Sequence, residues 1–448
     1  MPPLRLPAPR RLAPLALAVA IACGAALPAA AKSPSGAELA ALKAELDAMR
    51  ARIAALESQL AAASAQPAPA SAAPAGAQAA VTASGEPADA SPSVEPGPGF
   101  AAATADDAAA FELGGRIHFD TYAQNPDSVP STGGTEFRRA RFDISGTAAG
   151  WDYILQAELS GRNSDLRDVY LSRAFGDTTL YIGQFKPFRS LDELISSNDF
   201  VVLERGFGSG STLFNDAQWQ QGVGVLQELG GGMGTLGISA FSLREDNTPR
   251  NEGWGTAARG TWLPIGDGAT LVHLGASYSL ENGGKDTPAR AFEAAYGGRR
   301  GPEALLFESA AGRDFEQRSL GLEFAGRMGS FHWQSEWQRA TVAGVLGDGR
   351  LETQYLQVGY LFGGMRAYDT SEGVFDSPED AAGLWELVAR MDRIKLRDVP
   401  DAEALRWVLG VYWYATDDVR FLLNWTQGRD EATGDEPSQL GLRAQYVF

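Results

Sequence analysis

The chain has 448 residues, enough by length alone for about three average domains. Its 56 acidic and 38 basic side chains give a formal charge of −18, which repels phosphate backbones and excludes a nucleic-acid partner. A single cysteine, Cys23, and three histidines, His118, His273 and His332, exclude a disulfide framework and a Cys-based zinc site, and neither a metal nor another cofactor is expected.

The first element is an address. Arg5, Arg10 and Arg11 precede an apolar run from Leu12 to Leu27 and a small-residue end, Ala29-Ala30-Ala31. This pattern predicts a secretory signal peptide over 1–31, cut before Lys32, for a chain bound for a bacterial (Gram-negative) envelope. An uncleaved anchor is disfavoured by Pro14, and a lipoprotein signal on Cys23 by Ala20, where such signals carry leucine. No later stretch is long and apolar enough for a transmembrane helix.

Residues 36–64 place Leu39, Leu42, Leu46, Met49, Ile53, Leu56 and Leu60 at alternating spacings of three and four, an a/d seam that predicts a short periplasmic coiled coil. Residues 65–110 are rich in Ala, Pro, Ser and Gly without periodicity and predict a flexible linker.

From Phe111 to Phe448 the pattern has period two. Trp151, Tyr153, Leu155, Ala157 and Leu159 oppose Asp152, Gln156 and Glu158, and Leu440, Leu442, Ala444, Tyr446 and Phe448 oppose Gln439, Arg443 and Gln445. Segments of about 10–12 residues, aromatic ends, and short turns alternating with long loops separate a transmembrane antiparallel β-barrel from a soluble sandwich. Ala149-Gly150, Gly176-Asp177, Gly230-Gly231-Gly232 and Gly266-Asp267-Gly268 read as turns; 124–135, 188–216 and 283–316 read as loops. The count is about 16 strands, with 363–382 ambiguous. The alternation turns Arg116, His118, Asp120, Arg139 and Arg141 towards the lumen and gives Arg138 the lipid-facing parity, so that it either sits above the membrane or marks a shift in strand phase.

Several motifs in this region, Phe137-Arg138-Arg139-Ala140-Arg141, Asp168-Val169-Tyr170-Leu171, Gly183-Gln184-Phe185-Lys186-Pro187-Phe188, Leu191 to Ser197 leading to Leu203-Glu204-Arg205, and Trp385 to Arg390, together resemble the phosphate-selective porin O and P family of trimeric outer-membrane channels. The resemblance implies a sixteen-stranded trimeric barrel, a loop after the fifth strand folded into the lumen, and a ladder of arginines guiding oxyanions to a constriction. The candidate pore-lining and anion-guiding residues are Arg116, Arg139, Arg141, Asp168 and Arg390 on the wall, and Lys186, Arg189, Ser196, Ser197 and Arg205 on or beside the loop. For the arginines, ordinary lumen solvation beside a carboxylate stands as an equal reading. Tyr446 and Phe448 resemble the C-terminal signal read by the barrel-insertion machinery.

The expected function is passive diffusion of small hydrophilic solutes across the outer membrane, favouring phosphate or related oxyanions, with membrane lipid, other copies of the chain and small anions as partners. The alternative is a general or cation-preferring porin: residues 111–448 carry 47 acids against 31 bases and only three lysines, Lys186, Lys285 and Lys395. A barrel enzyme is the less favoured class: the three histidines have no nearby serine with Asn or Asp in a recognisable arrangement, and carboxylates such as Asp152, Glu158 and Asp168, which could do acid–base work, read as solvated lumen charge. A carbohydrate porin is disfavoured because most tryptophans fall on the lipid-facing side.

Overall fold

The computed structural model describes residues 93–96, 99–104, 109–161, 165–214, 218–244 and 251–448. The segments expected to be signal peptide and coiled coil lie outside the described residues. Sixteen antiparallel strands follow one another: β1 (Ala109–Asn125), β2 (Gly134–Ala148), β3 (Trp151–Glu158), β4 (Asp165–Phe175), β5 (Thr178–Phe185), β6 (Gln220–Leu229), β7 (Gly234–Ser242) and β8 (Gly253–Asp267). They continue through β9 (Thr270–Gly283), β10 (Glu316–Met328), β11 (Phe331–Val342), β12 (Gly349–Phe362), β13 (Trp385–Leu396), β14 (Glu403–Tyr414), β15 (Val419–Asp430) and β16 (Ser438–Val447). Each pairs with its chain neighbours, and β16 pairs back onto β1, so the barrel is closed. Closure satisfies every ladder edge, the condition for strands to cross a bilayer.

Alternation decides which side chains face out. On β10, Leu320, Leu322 and Phe324 are exposed while Gln317, Ser319 and Glu323 are buried. The same inversion recurs around the wall, with Trp254, Trp262, Trp407 and Leu409 all more than half exposed. An exterior this apolar needs lipid against it. Turns at one end are short: 149–150, 176–177, 230–233, 268–269, 329–330 and 415–418. The other end carries the long connections 186–219 and 284–315.

The segment 363–384, ambiguous in sequence, adds no barrel strand. It leaves the short-turn end as a long excursion holding a small hairpin, Ala367–Asp369 against Val374–Asp376. Ser93–Pro96 and Phe100–Ala103, inside the stretch expected to be linker, also form a hairpin, whose second strand pairs with residues 110–113 of β1.

Inward polarity is not uniform. Tyr122, Leu361, Val388, Val408 and Leu422 point inward and pack on Val201, Val202 and Leu203 of the 186–219 loop. A second apolar group joins Leu191, Ile195 and Phe200 of that loop to Leu263, Leu271, Val374 and Phe375. These residues break the apolar-out, polar-in rule because the loop and the 363–384 excursion cover them, giving part of the lumen a packed core.

The closing seam is built around the last residue. Phe448 N donates to Gly115 O at 3.0 Å and Gly115 N to Phe448 O at 2.7 Å. A Cβ on Gly115 would lie 2.7 Å from the Phe448 ring and collide with the Arg141 carbonyl. The missing side chain is therefore what admits the terminal aromatic. Gly115→Val and deletion of Phe448 should each lower the yield of barrels with heat-modifiable electrophoretic mobility; undiminished yield in both would show that the seam does not need this contact.

Candidate functional site

Two consecutive arginines reach the lumen through a bulge. The β1–β2 register slips between His118, opposite Arg139, and Phe119, opposite Phe137, leaving Arg138 without a cross-strand partner. Phe137 is 60% exposed on the outside, whereas Arg138 and Arg139 both turn inward. The phase shift resolves the misfit of Arg138 with simple alternation. Arg138 donates Nε and Nη2 to Glu204 of the loop at 2.7 and 2.8 Å.

The loop after β5 is pinned to inward side chains of distant strands. Its short helix α1 (Leu191–Leu194) is capped by Ser190, whose Oγ accepts from Glu193 N and donates to Glu336 of β11. Asp192 accepts from Gly206 N at 3.0 Å, from Arg390 Nη1 of β13 at 3.1 Å, and from the Ser209 hydroxyl. Arg189 is paired with Glu193 and with Glu281 of β9. Leu203 N donates to Asn424 of β15, and Arg406 of β14 donates to Arg205 O. From the opposite end of the barrel, Arg366 Nη2 donates to Asp199 O at 2.6 Å and Ser377 donates both N and Oγ to Asp199 Oδ1. Burial alone would raise the Asp192 carboxyl, but Arg390, Arg205 and its hydrogen bonds hold it below the usual range.

What the loop leaves open along β1–β6 is two adjoining cavities. A cavity of about 230 Å³ is lined by Arg116, Arg139, Arg141, Asp168, Lys186, Ser196, Ser197 and Arg205, together with Trp219 and Glu372. A second cavity, of about 680 Å³, lies on the long-loop side and is lined by Arg138, Arg167, Glu136, Glu158, Glu204 and Arg299. Arg139, Arg141, Arg205 and Trp219 belong to both and mark the junction.

The cations at the junction are not equivalent. Arg116 Nη1 donates to Ser196 Oγ and Ser197 Oγ at 3.2 and 3.3 Å, and its Nη2 lies 3.6 Å from Asp143. Arg141 is paired with Glu158 at 2.8 Å and donates to Gln156. Arg205 donates to the carbonyls of Glu193 and Ile195. Lys186 Nζ is taken up by the Glu193, Leu194 and Ile195 carbonyls at 2.7 to 3.4 Å, and burial, with Arg205 nearby, pushes its ammonium pKa down. Arg139 differs: it is 5% exposed, its Nε and Nη1 have no hydrogen-bond partner, and among the described residues no carboxylate lies within ion-pair distance.

Trp219 has three cations near its ring, Arg167 at 4.7 Å, Arg141 at 5.2 Å and Lys186 at 5.5 Å from the centroid. Its Nε1 donates to Asp168 at 3.0 Å, which fixes the indole and occupies one carboxylate lone pair. Eight of the ten candidate residues thus line one cavity. Arg189 and Arg390 do not; they sit behind the loop as its ionic anchors. Sequence reasoning missed Trp219, since alternation counted back from β6 would put it outside. It also missed Glu372, which the 363–384 excursion carries in from the other end. Crowding by surrounding protein, and then Asp369, push the Glu372 carboxyl up to about 7.

Comparison with known proteins agrees with this architecture. Residues 111–448 match the family described as phosphate-selective porin O and P. The chain is 26% identical over 411 residues to Porin O of Pseudomonas aeruginosa, covering 78% of this chain and 91% of that one. It is 29% identical over 368 residues to a Caulobacter vibrioides protein, covering 75% of this chain and 72% of the other. Among solved structures, an anion-selective porin from Comamonas acidovorans superposes with a TM-score of 0.52 at 12% identity, over 76% of this chain and all of that one, a likeness of fold. With its closed sixteen-stranded wall and arginine-lined lumen, the chain belongs to the phosphate-selective porin O and P family.

Proposed function

We propose that the protein is an outer-membrane channel for passive diffusion of small hydrophilic solutes, that phosphate and related oxyanions are its preferred class, and that it works as a homotrimer. The observation that carries the anion preference is Arg139, a buried guanidinium that lines both cavities and has no carboxylate within ion-pair distance among the described residues. A tetrahedral oxyanion there would accept charge-assisted hydrogen bonds from Arg139, with Arg116 and the Ser196 and Ser197 hydroxyls within the same cavity. Contacts of this kind replace the hydration that the ion sheds on entering, while the neighbouring pairs keep binding weak enough for release. Guanidinium cannot lose its proton at working pH, so the attraction is constant.

A second reading is favoured by Asp168 and Glu372, carboxylates lining the same cavity: a general or cation-preferring porin. Reversal potentials in a KCl gradient separate the two. The anion reading expects chloride to permeate faster than potassium, and expects phosphate to block chloride current. Changing Arg139 and Arg141 to Glu reverses two charges and shifts the local total by four units. With each close interaction contributing about 1 kcal/mol even at the dielectric of water, the anion-to-cation permeability ratio should fall at least about tenfold. A parent channel that already prefers potassium would refute the anion preference and leave the porin.

Glu372 adds a pH dependence. Its carboxyl is neutral below its pKa of about 7 and charged above it, so the cavity loses positive potential as pH rises. Chloride selectivity should decline between pH 6 and pH 8, and Glu372→Gln should flatten that decline; an unaltered slope in the variant would remove Glu372 from the pathway.

The loop anchors yield a mechanical expectation. Asp192→Ala strips Arg390 of one of its two carboxylate partners, the kind of buried-pair loss that costs about 3–5 kcal/mol. The wall should still fold, but single-channel current should become larger and noisier as the loop loosens. A quiet channel of parental conductance would show that the apolar contacts alone hold the constriction.

A further inference from the structure

We propose that the outer surface of β11–β13, at the long-loop end of the barrel, is a binding site for a phosphate group of an outer-leaflet saccharolipid, the phosphorylated glycolipid that faces the outside of such membranes. The site is a charge imbalance at a fixed height on the wall. Arg339, Glu352 and Lys395 are direct cross-strand neighbours on β11, β12 and β13. Arg339 Nη2 and Arg397 Nη1 each lie 3.2 Å from Glu352 Oε2, and Lys395 Nζ lies 3.4 Å from its Oε1. One carboxylate thus serves three cations whose side chains remain 30 to 43% exposed. The flanking Arg350 and Arg393 each have an acid of their own, Asp398 and Glu403, so the patch keeps a net positive charge on a barrel that is strongly acidic as a whole.

The position selects the ligand. The Arg339 guanidinium packs over the Trp337 ring at 5.1 Å, and one further step down the strands the outward residues are Ser335, Leu356 and Met391. Two residues along a strand span about 7 Å, so full charge gives way to hydrocarbon-facing side chains within about 14 Å. At the far end of the same wall, Trp385, Trp413 and Phe421 stack at centroid distances of 5.8 and 5.6 Å, an aromatic girdle. A wall with such a girdle below an apolar band faces lipid, and the cation cluster lies where the headgroups begin at the other end. A dissolved anion at so exposed a cluster would be screened by salt, whereas a lipid phosphate is held there by its own acyl chains against the apolar band. These side chains point away from the lumen, so the inference is independent of what the channel conducts.

The test uses the folded full-length protein in detergent and bis-phosphorylated lipid A, counting bound molecules by native mass spectrometry. Changing Arg339, Lys395 and Arg397 together to Gln should weaken binding at least about tenfold, given the attraction expected per basic residue at an anionic surface. Glu352→Gln, which removes the shared acid, should tighten it. Heat-modifiable mobility and single-channel conductance should be unchanged in both variants. Equal binding by the triple variant, equal binding of dephosphorylated lipid A, or displacement by millimolar inorganic phosphate would each overturn the proposal. If the triple variant does not fold, Glu352→Gln decides alone: unchanged or weaker binding overturns it.

Discussion

A guanidinium taken out of bulk water must have an acceptor beside it, because an unpaired buried charge costs more than most single contacts return. That constraint organises the lumen. Arg189 lies between Glu193 and Glu281, Arg259 on Glu323, Arg390 between Asp192 and Asp392, and Arg443 on Asp120. Many inward carboxylates are engaged in such pairs, so net charge is a poor guide to the field a permeating ion meets. Around Arg139 no carboxylate lies within ion-pair distance among the described residues, although Asp168 and Glu372 line the same cavity.

The constriction is made by two segments that enter from opposite mouths. The 186–219 loop brings an apolar side that packs on inward residues of β12–β15, and a polar side that meets the arginines of β1 and β2. The 363–384 excursion backs it up, with Val374 and Phe375 in the same apolar group as Leu191 and Phe200. Packing and ion pairs therefore act together: hydrophobic burial fixes how deep the loop sits, and the directional pairs fix which side chains remain for the passage.

Much of this was legible in the sequence because period-two alternation is imposed by geometry and lipid tolerates no exceptions on its side. Strand count, the place of the long loop and eight of the residues lining the cavity follow from that rule together with the family resemblance. What escaped lies where the rule is relaxed. Inward Val388, Val408 and Leu422 look like outward residues until the loop that covers them is known. Arg138 breaks phase because one extra residue sits in a bulge, a feature that depends on pairing and not on composition. Trp219 and Glu372 belong to connections, whose direction no local periodicity encodes. Arg189 and Arg390 have the same residue type as the lining arginines, and only the position of their carboxylate partners sets them apart.

The latch between Asp199 and the pair Arg366 and Ser377 joins segments that are far apart along the chain. One segment follows β5 and the other follows β12, and they enter from opposite ends of the barrel. The length of one connection is therefore tied to the length of the other, and an insertion or deletion at either mouth would be felt at both.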